Sequence, residues 1–238
     1  MAPSRPARKG MALDATSADT KTRILDAAEA LFMEHGFEAT SLRSLTATAS
    51  VNLAAVNYHF GSKEELFQAV LTRRLDPMNK ERIELIEKLD REAAGKPIAC
   101  EKILFAMLIP ALRLARDEEL GGKHFLRLVG RAYADPAPFI RHFLSEQYAE
   151  MIGRYKEAFH KALPHLSRQE LTWRLHFVMG ALSYTLLGAD PLKLFDQVTP
   201  GQRDNDELLL HRLAPFLVAG LKAPALGSTP KLELVSGD

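Results

Sequence analysis

Between Glu38 and Glu64 the chain carries no carboxylate, although acidic residues are frequent elsewhere. The stretch TSLRSLTATASVNLAAVNYHFGSK, Thr40 to Lys63, is supplied instead with small and hydrogen-bonding side chains. Asn52 and Asn57 each donate and accept at once, the pairing that can read the exposed edge of adenine. Leu53, Ala54 and Ala55 permit close approach and can meet thymine methyl groups. Thr40, Ser41, Tyr58, His59 and Lys63 offer donors to phosphate oxygens, a contact that needs no base-specific geometry. Arg43 can serve either purpose. Any one of these residues also fits a solvated surface. Gathered on a segment stripped of negative charge, they suit a polyanion, and double-stranded DNA first.

Other chemistries find less support. His124, His142, His160, His165, His176 and His211 are scattered and make no metal-ligand spacing such as HExxH. Cys100 lies in an apolar-periodic segment with no base close to it in sequence, and there is no phosphate-binding glycine loop. The expectation is a protein with no catalytic residues, no metal and no cofactor. A lone cysteine excludes an internal disulfide and fits a reducing compartment. No apolar run approaches the roughly 20 residues that span a bilayer. No membrane partner is expected, and the cytoplasm is the expected location. The net charge of +1 means that attraction to nucleic acid must be local.

Positioning such a segment is the work of helices. From Thr20 to Gly36 apolar residues recur at helical spacing, Ile24, Leu25, Ala28, Leu31 and Phe32, with Gly36 placed for a left-handed stop. A second helix opens at Thr40–Ser41 with Leu42, Leu45 and Ala49 on one side. Asn52 can cap a third that buries Val56 and Phe60, and Ser62 a fourth, with Glu64 and Glu65 at its positive end. Pro77 is expected to kink or break that fourth helix. Further periodic segments cover Ile98–Arg116, Lys123–Tyr133, Pro138–Leu163, Ser167–Leu187 and Asp206–Lys222. Nothing alternates with the period of a strand, so the fold class is all-α. The first residues are basic, then small and polar, and read as a disordered arm whose Arg5, Arg8 and Lys9 can touch phosphates.

The run Thr22–Lys63 resembles the N-terminal domain of the TetR family of bacterial transcriptional regulators. The likeness rests on RILDAAEALFMEHGFEATSL, a helix–turn–helix, and VNYHFGSKEELF, with Tyr58–His59–Phe60 and Lys63–Glu64–Glu65–Leu66 at the family's signature positions. Two residues depart from the pattern: Ser50 stands at the usual turn glycine and Asn57 at the usual first aromatic. The resemblance implies that Leu53–His59 enters the major groove and the preceding helix braces it. It also implies a homodimer on a pseudo-palindromic operator. VNLAAVNYHFGSK together with WRLHFVMGAL, Trp173–Leu182, is similar to the fatty-acid-sensing PsrA-like branch.

Domains follow: a disordered arm over 1–19, a helix–turn–helix domain over 20–66, a helical effector-binding and dimerisation domain over 67–222, and a flexible tail over 223–238. Two stripes mark the helix after Ser167, one of Leu171, Leu175, Val178 and Leu182 and one including Trp173 and Phe177. A helix apolar on two sides needs two covers. The first stripe, with Leu209, Leu213, Phe216 and Leu217, is assigned to a dimer face. Phe105, Leu108, Leu112, Phe125, Leu128, Phe143, Tyr148, Trp173 and Phe177 are candidates to line an effector pocket, though such residues are more often ordinary core. Arg131, Arg174 and His176 would supply its polar end, which suits a small apolar effector such as a fatty acid or acyl-CoA. The arginines can equally pair with Glu146, Glu150 or Glu170. A xenobiotic or aromatic effector, and an adaptor without any metabolite ligand, remain open.

Overall fold

Three short polar side chains start the helices of the first half. Ser41 Oγ accepts from the Ser44 N–H at 3.0 Å and opens α2 (Leu42–Ala49). Asn52 Oδ1 accepts from the Ala55 N–H at 2.8 Å and opens α3 (Leu53–Phe60). Ser62 opens α4 (Lys63–Ala93) with a reciprocal box in which Glu65 returns to the Ser62 N–H at 2.9 Å. Ahead of them runs α1 (Lys9–Ala39), bent at Gly36, whose φ of 82° lies where an L side chain is strained. In this computed structural model the described residues are 9–117, 122–134, 137–186 and 206–225, and among them there is no strand. The remaining helices are α5 (Cys100–Arg116), α6 (Gly122–Ala134), α7 (Pro138–Gln147), α8 (Ala149–Ala162), α9 (Arg168–Leu186) and α10 (Asp206–Lys222).

The all-α expectation holds, with three corrections. Residues 9–19, read as part of a disordered arm, are the first turns of α1, while 1–8 lie outside the described residues. Pro77 does not break α4. It sits on the exposed side of the helix, where a proline's missing N–H costs least. The segment Pro138–Leu163 is two helices, parted at Tyr148, whose buried ring turns its hydroxyl to Asp76 Oδ1 at 3.0 Å. No glycine or proline announces that break. A tertiary contact makes it.

Phe67 of α4 meets Phe32 and Phe37 of α1 edge to face, and Phe139 of α7 closes on Phe37 with centroids 5.0 Å apart. Burying such a side chain is worth about 1.5–3 kcal/mol. Across the same junction the buried Glu29 receives Arg74 Nε at 2.8 Å and Arg73 Nη1 at 3.1 Å, and Arg73 also reaches Asp26. The boundary drawn at 66/67 thus falls inside one continuous helix, α4, whose first turns belong to the head and whose later turns pack on α5 and α8. No helix among the described residues is long and apolar enough to cross a membrane.

Candidate nucleic-acid interface

Helix α3 buries Val56 and Phe60 and turns Leu53, Ala54, Asn57 and Tyr58 outward, positions that share one face at helical spacing. Tyr58 is 82% exposed, and its ring meets that of His59 at 5.1 Å. Among the described residues neither the Asn57 amide nor the Tyr58 hydroxyl has a hydrogen-bond partner in the chain. Both are held ready for an outside one. Ala55 is half-buried beneath them, and Ser41 and Arg43 of the α2 side are exposed. Lys63 Nζ lies over the Phe37 ring at 4.3 Å and 3.4 Å from the Glu38 carbonyl, so its cation is parked at the edge of this surface.

Two of the residues assigned to DNA behave differently. Thr40 is only 1% exposed, and its hydroxyl lies 2.7 Å from the Gly36 carbonyl and 3.2 Å from that of Leu31. It fastens the α1–α2 corner and is not available to a phosphate. Asn52 is exposed, but its Oδ1 is spent on the α3 cap, which leaves the NH2 as its outward group. The two-bond reading of adenine therefore falls to Asn57.

Sequence reasoning missed Arg23. Its Nη2 donates to the carbonyls of Ala49 and Ser50, both at 2.9 Å, and so closes the C-terminal end of α2. Ser50 there is left-handed at φ 52°, the conformation that a glycine would hold without strain. Gly61 is a stricter requirement, since a Cβ on it would fall 2.2 Å from Glu65 Oε2. Nothing local in the sequence marks Arg23, because its partners stand 26 and 27 residues away.

The pocket candidates do not converge. Phe105, Leu108 and Leu112 line a cleft of about 270 Å³ between α5 and α10, together with Ile109 and Ala214. Phe125 and Leu128 are fully buried core on α6. Phe143 and Tyr148 form their own ring pair at the α7–α8 junction. Arg131 is exposed on α6, its guanidinium beside Gly36 of the head. Glu146 and Glu150 pair with His142 and Arg154, while Glu170 pairs with Arg174, as the alternative reading of that arginine has it. Arg174 is buried: Nε holds Glu170 at 2.8 Å, and the guanidinium donates to the carbonyls of Gly220, Leu221, Ala223 and Pro224. It caps α10 and does not face a ligand.

The burial of the two α9 stripes runs opposite to their assignments. Leu171, Val178 and Leu182, assigned to a dimer face, are buried inside the chain, where α9 packs on α6 and α10, and Leu175 is half-buried. Trp173 and Phe177, assigned to a pocket, are 54% and 63% exposed and stacked on each other, with His176 also outside. On α10 Leu217 is buried and Leu213 half-buried, whereas Phe216 is 70% exposed; the Leu209 side chain lies outside the described residues. Spacing told that α9 has two apolar faces. Which one turns inward was settled by α6. Burial, then the adjacent Glu101, pushes the Cys100 thiol up to about 11, so it rests protonated in the core.

An exposed, carboxylate-free helix–turn–helix carried on a helical bundle defines a class, the DNA-binding transcriptional regulators. Residues 24–70 match the family model of bacterial regulatory proteins of the tetR family, and residues 106–220 that of the tetracyclin repressor-like C-terminal domain. The transcriptional regulator Mb3439c of Mycobacterium bovis is 32% identical over 137 residues, 50% of this chain and 73% of that protein. The repressor KstR of Rhodococcus jostii is 30% identical over 132 residues, 50% of this chain and 62% of KstR. Against UidR of Escherichia coli the match, 38% identical, spans 22% of this chain and only 26% of that regulator. Among solved structures, AmtR of Mycobacterium smegmatis superposes with a TM-score of 0.51 at 18% identity, covering 94% of this chain and 92% of its own. At identities this low the likeness is one of fold. The chain belongs to the TetR family of transcriptional regulators.

Proposed function

We propose that this regulator is a cytoplasmic repressor that binds a pseudo-palindromic operator as a homodimer and is released by a small apolar effector carrying an acid group. The observation that carries the DNA half is the α3 face, where Leu53, Ala54, Asn57 and Tyr58 stand outward on a helix without negative charge. In this reading Asn57 reads a base, Leu53 and Ala54 approach thymine methyls, and Ser41, Tyr58, His59 and Lys63 hold phosphates. Arg43 can take either part, and the Asn52 NH2 is limited to a phosphate. Gel-shift titration on a duplex selected from a random library, and on an unselected duplex, tests the assignment. Lys63→Ala should weaken both alike, while Asn57→Ala should also erase the preference between them. Equal losses on both duplexes for both variants would remove the assignment.

The dimer in this proposal uses the exposed stripe of α9 and its neighbour on α10. Trp173, Phe177, Gly180 and Tyr184 recur along one face of α9, and Phe216 stands exposed on the adjacent α10, large apolar groups of the kind that a partner subunit covers. Phe177→Glu should yield monomers in sedimentation and lose the selected duplex, whereas a variant that remains dimeric would place the interface elsewhere. For the effector, the reading favours a fatty acid over its CoA thioester, because the α5–α10 cleft at about 270 Å³ holds an apolar body and little more. The PsrA-like resemblance points the same way.

A further inference from the structure

Three basic side chains, Arg113, Arg116 and His211, stand around the α5–α10 cleft, and among the described residues that line it none is a carboxylate. The rest of the lining, Phe105, Leu108, Ile109, Leu112 and Ala214, is apolar. Such a wall accepts a molecule with a greasy body and a single negative end, and it rejects a cation. Arg113 Nη1 is ion-paired across the helices with Glu81 of α4. Both partners are reached by solvent, so the pair is weak and open to competition.

We infer that the α5–α10 cleft binds an amphipathic monocarboxylate whose acid group takes Arg113 from Glu81. This rests on the reading of the chain as an effector-responsive regulator and names the site and the switch. Besides their apolar packing, two polar contacts among the described residues join α4 to α5. Arg82 Nε donates to the Met107 carbonyl at 2.9 Å, within the turn that Pro110 opens by lacking an N–H, and Glu81 meets Arg113 about one turn farther along α5 than Pro110. Losing the second loosens that turn of α4 from α5 and so biases the helix's tilt, while Arg82 and the contacts of Asp76 and Glu87 with Tyr148 and Arg154 still hold it. The same helix begins in the reading head, where Leu66, Phe67 and Val70 are buried and Arg73 and Arg74 grip Glu29. A tilt of α4 therefore changes the spacing of the two heads in a dimer. The ligand acts because it binds the state in which Arg113 has left Glu81 better than the state in which it has not.

Calorimetric titration of the full-length protein with decanoate, and with decan-1-ol as its uncharged counterpart, tests the site without DNA. Decanoate should bind and decan-1-ol should bind at least about tenfold more weakly, the loss of one charge-assisted contact. Leu112→Trp, which fills the cleft, should abolish binding, and Arg113→Gln should weaken it about tenfold. Glu81→Gln should tighten it about threefold by removing the competitor, a gain that a misfolded protein cannot produce. Decanoate should then release the selected duplex at a lower concentration from Glu81→Gln than from the native protein. Binding that ignores Leu112→Trp and Arg113→Gln, an equal affinity for decan-1-ol, or no binding at all would each overturn the site. Release of DNA by decanoate with those variants unaffected would keep the effector reading and discard this cleft. Failure to bind any selected duplex would sink the regulator reading instead, with the titration still deciding the cleft.

Discussion

Two arginines close the end of a helix in this molecule, at opposite ends of the chain and at different depths. Arg23 reaches the carbonyls of Ala49 and Ser50 from a half-exposed position and keeps company with Asp19 at the surface. Arg174 is buried, and it meets four carbonyls at the end of α10 while Glu170 neutralises it. The same group does the same chemistry, since a guanidinium is a fork of donors and a helix C-terminus is a cluster of acceptors. The consequences differ with solvent. Near water, losing the fork lets water take the carbonyls; at the buried Leu221 carbonyl nothing replaces it. The turn between α2 and α3 is thus closed by a replaceable contact, and the α9–α10 pair in part by an irreplaceable one.

The largest effect should come from Arg174→Met. Leaving those carbonyls and Glu170 unpaired should cost about 3 kcal/mol, seen as an early thermal transition in calorimetry, together with loss of the proposed dimer. A change within 0.5 kcal/mol, the ordinary surface range, would erase the contrast between the two arginines. Arg23→Met should cost about 1 kcal/mol, and the selected duplex should weaken more than the melting shift suggests, because the α2–α3 turn loses its brace. Ser50→Gly should work in the opposite sense and stabilise by about 1 kcal/mol, since glycine holds the left-handed turn without strain; a null result in chemical denaturation would mean the bonds from Arg23 already relieve it.

The smallest effect concerns pH. Unfolded, the Cys100 thiol ionises near 9.0, and folded it is held up to about 11 by burial. A raised folded value favours the neutral form, so this contribution is complete below pH 9 and is lost as the pH rises through 11. Stability should sag across that window and Cys100→Ala should flatten the sag. Iodoacetamide at pH 8 should label Cys100 no faster than the protein unfolds. Fast labelling of the folded protein would show the thiol to be accessible.

By itself the sequence determined what depends on neighbours within a few residues. Ser41, Asn52 and Ser62 are caps because a short polar side chain can reach an N–H three residues on, and the missing carboxylates of 39–63 are visible by inspection. The apolar periods of α1, α5 and α9 likewise follow from 3.6 residues per turn. What lay beyond reach depends on partners far along the chain. Thr40 looked like a phosphate ligand and is a buried fastener, because Leu31 and Gly36 offer it carbonyls once α1 bends. Arg174 looked like a ligand cation until α10 folded back to place its last carbonyls around it, 46 to 50 residues away. Periodicity gave α9 two apolar faces of equal merit, and only the packing of α6 chose the leucines for the core and left Trp173 and Phe177 outside. Local pattern fixes which groups a helix carries; burial, a property of the whole chain, fixes which of them can still meet a partner from outside.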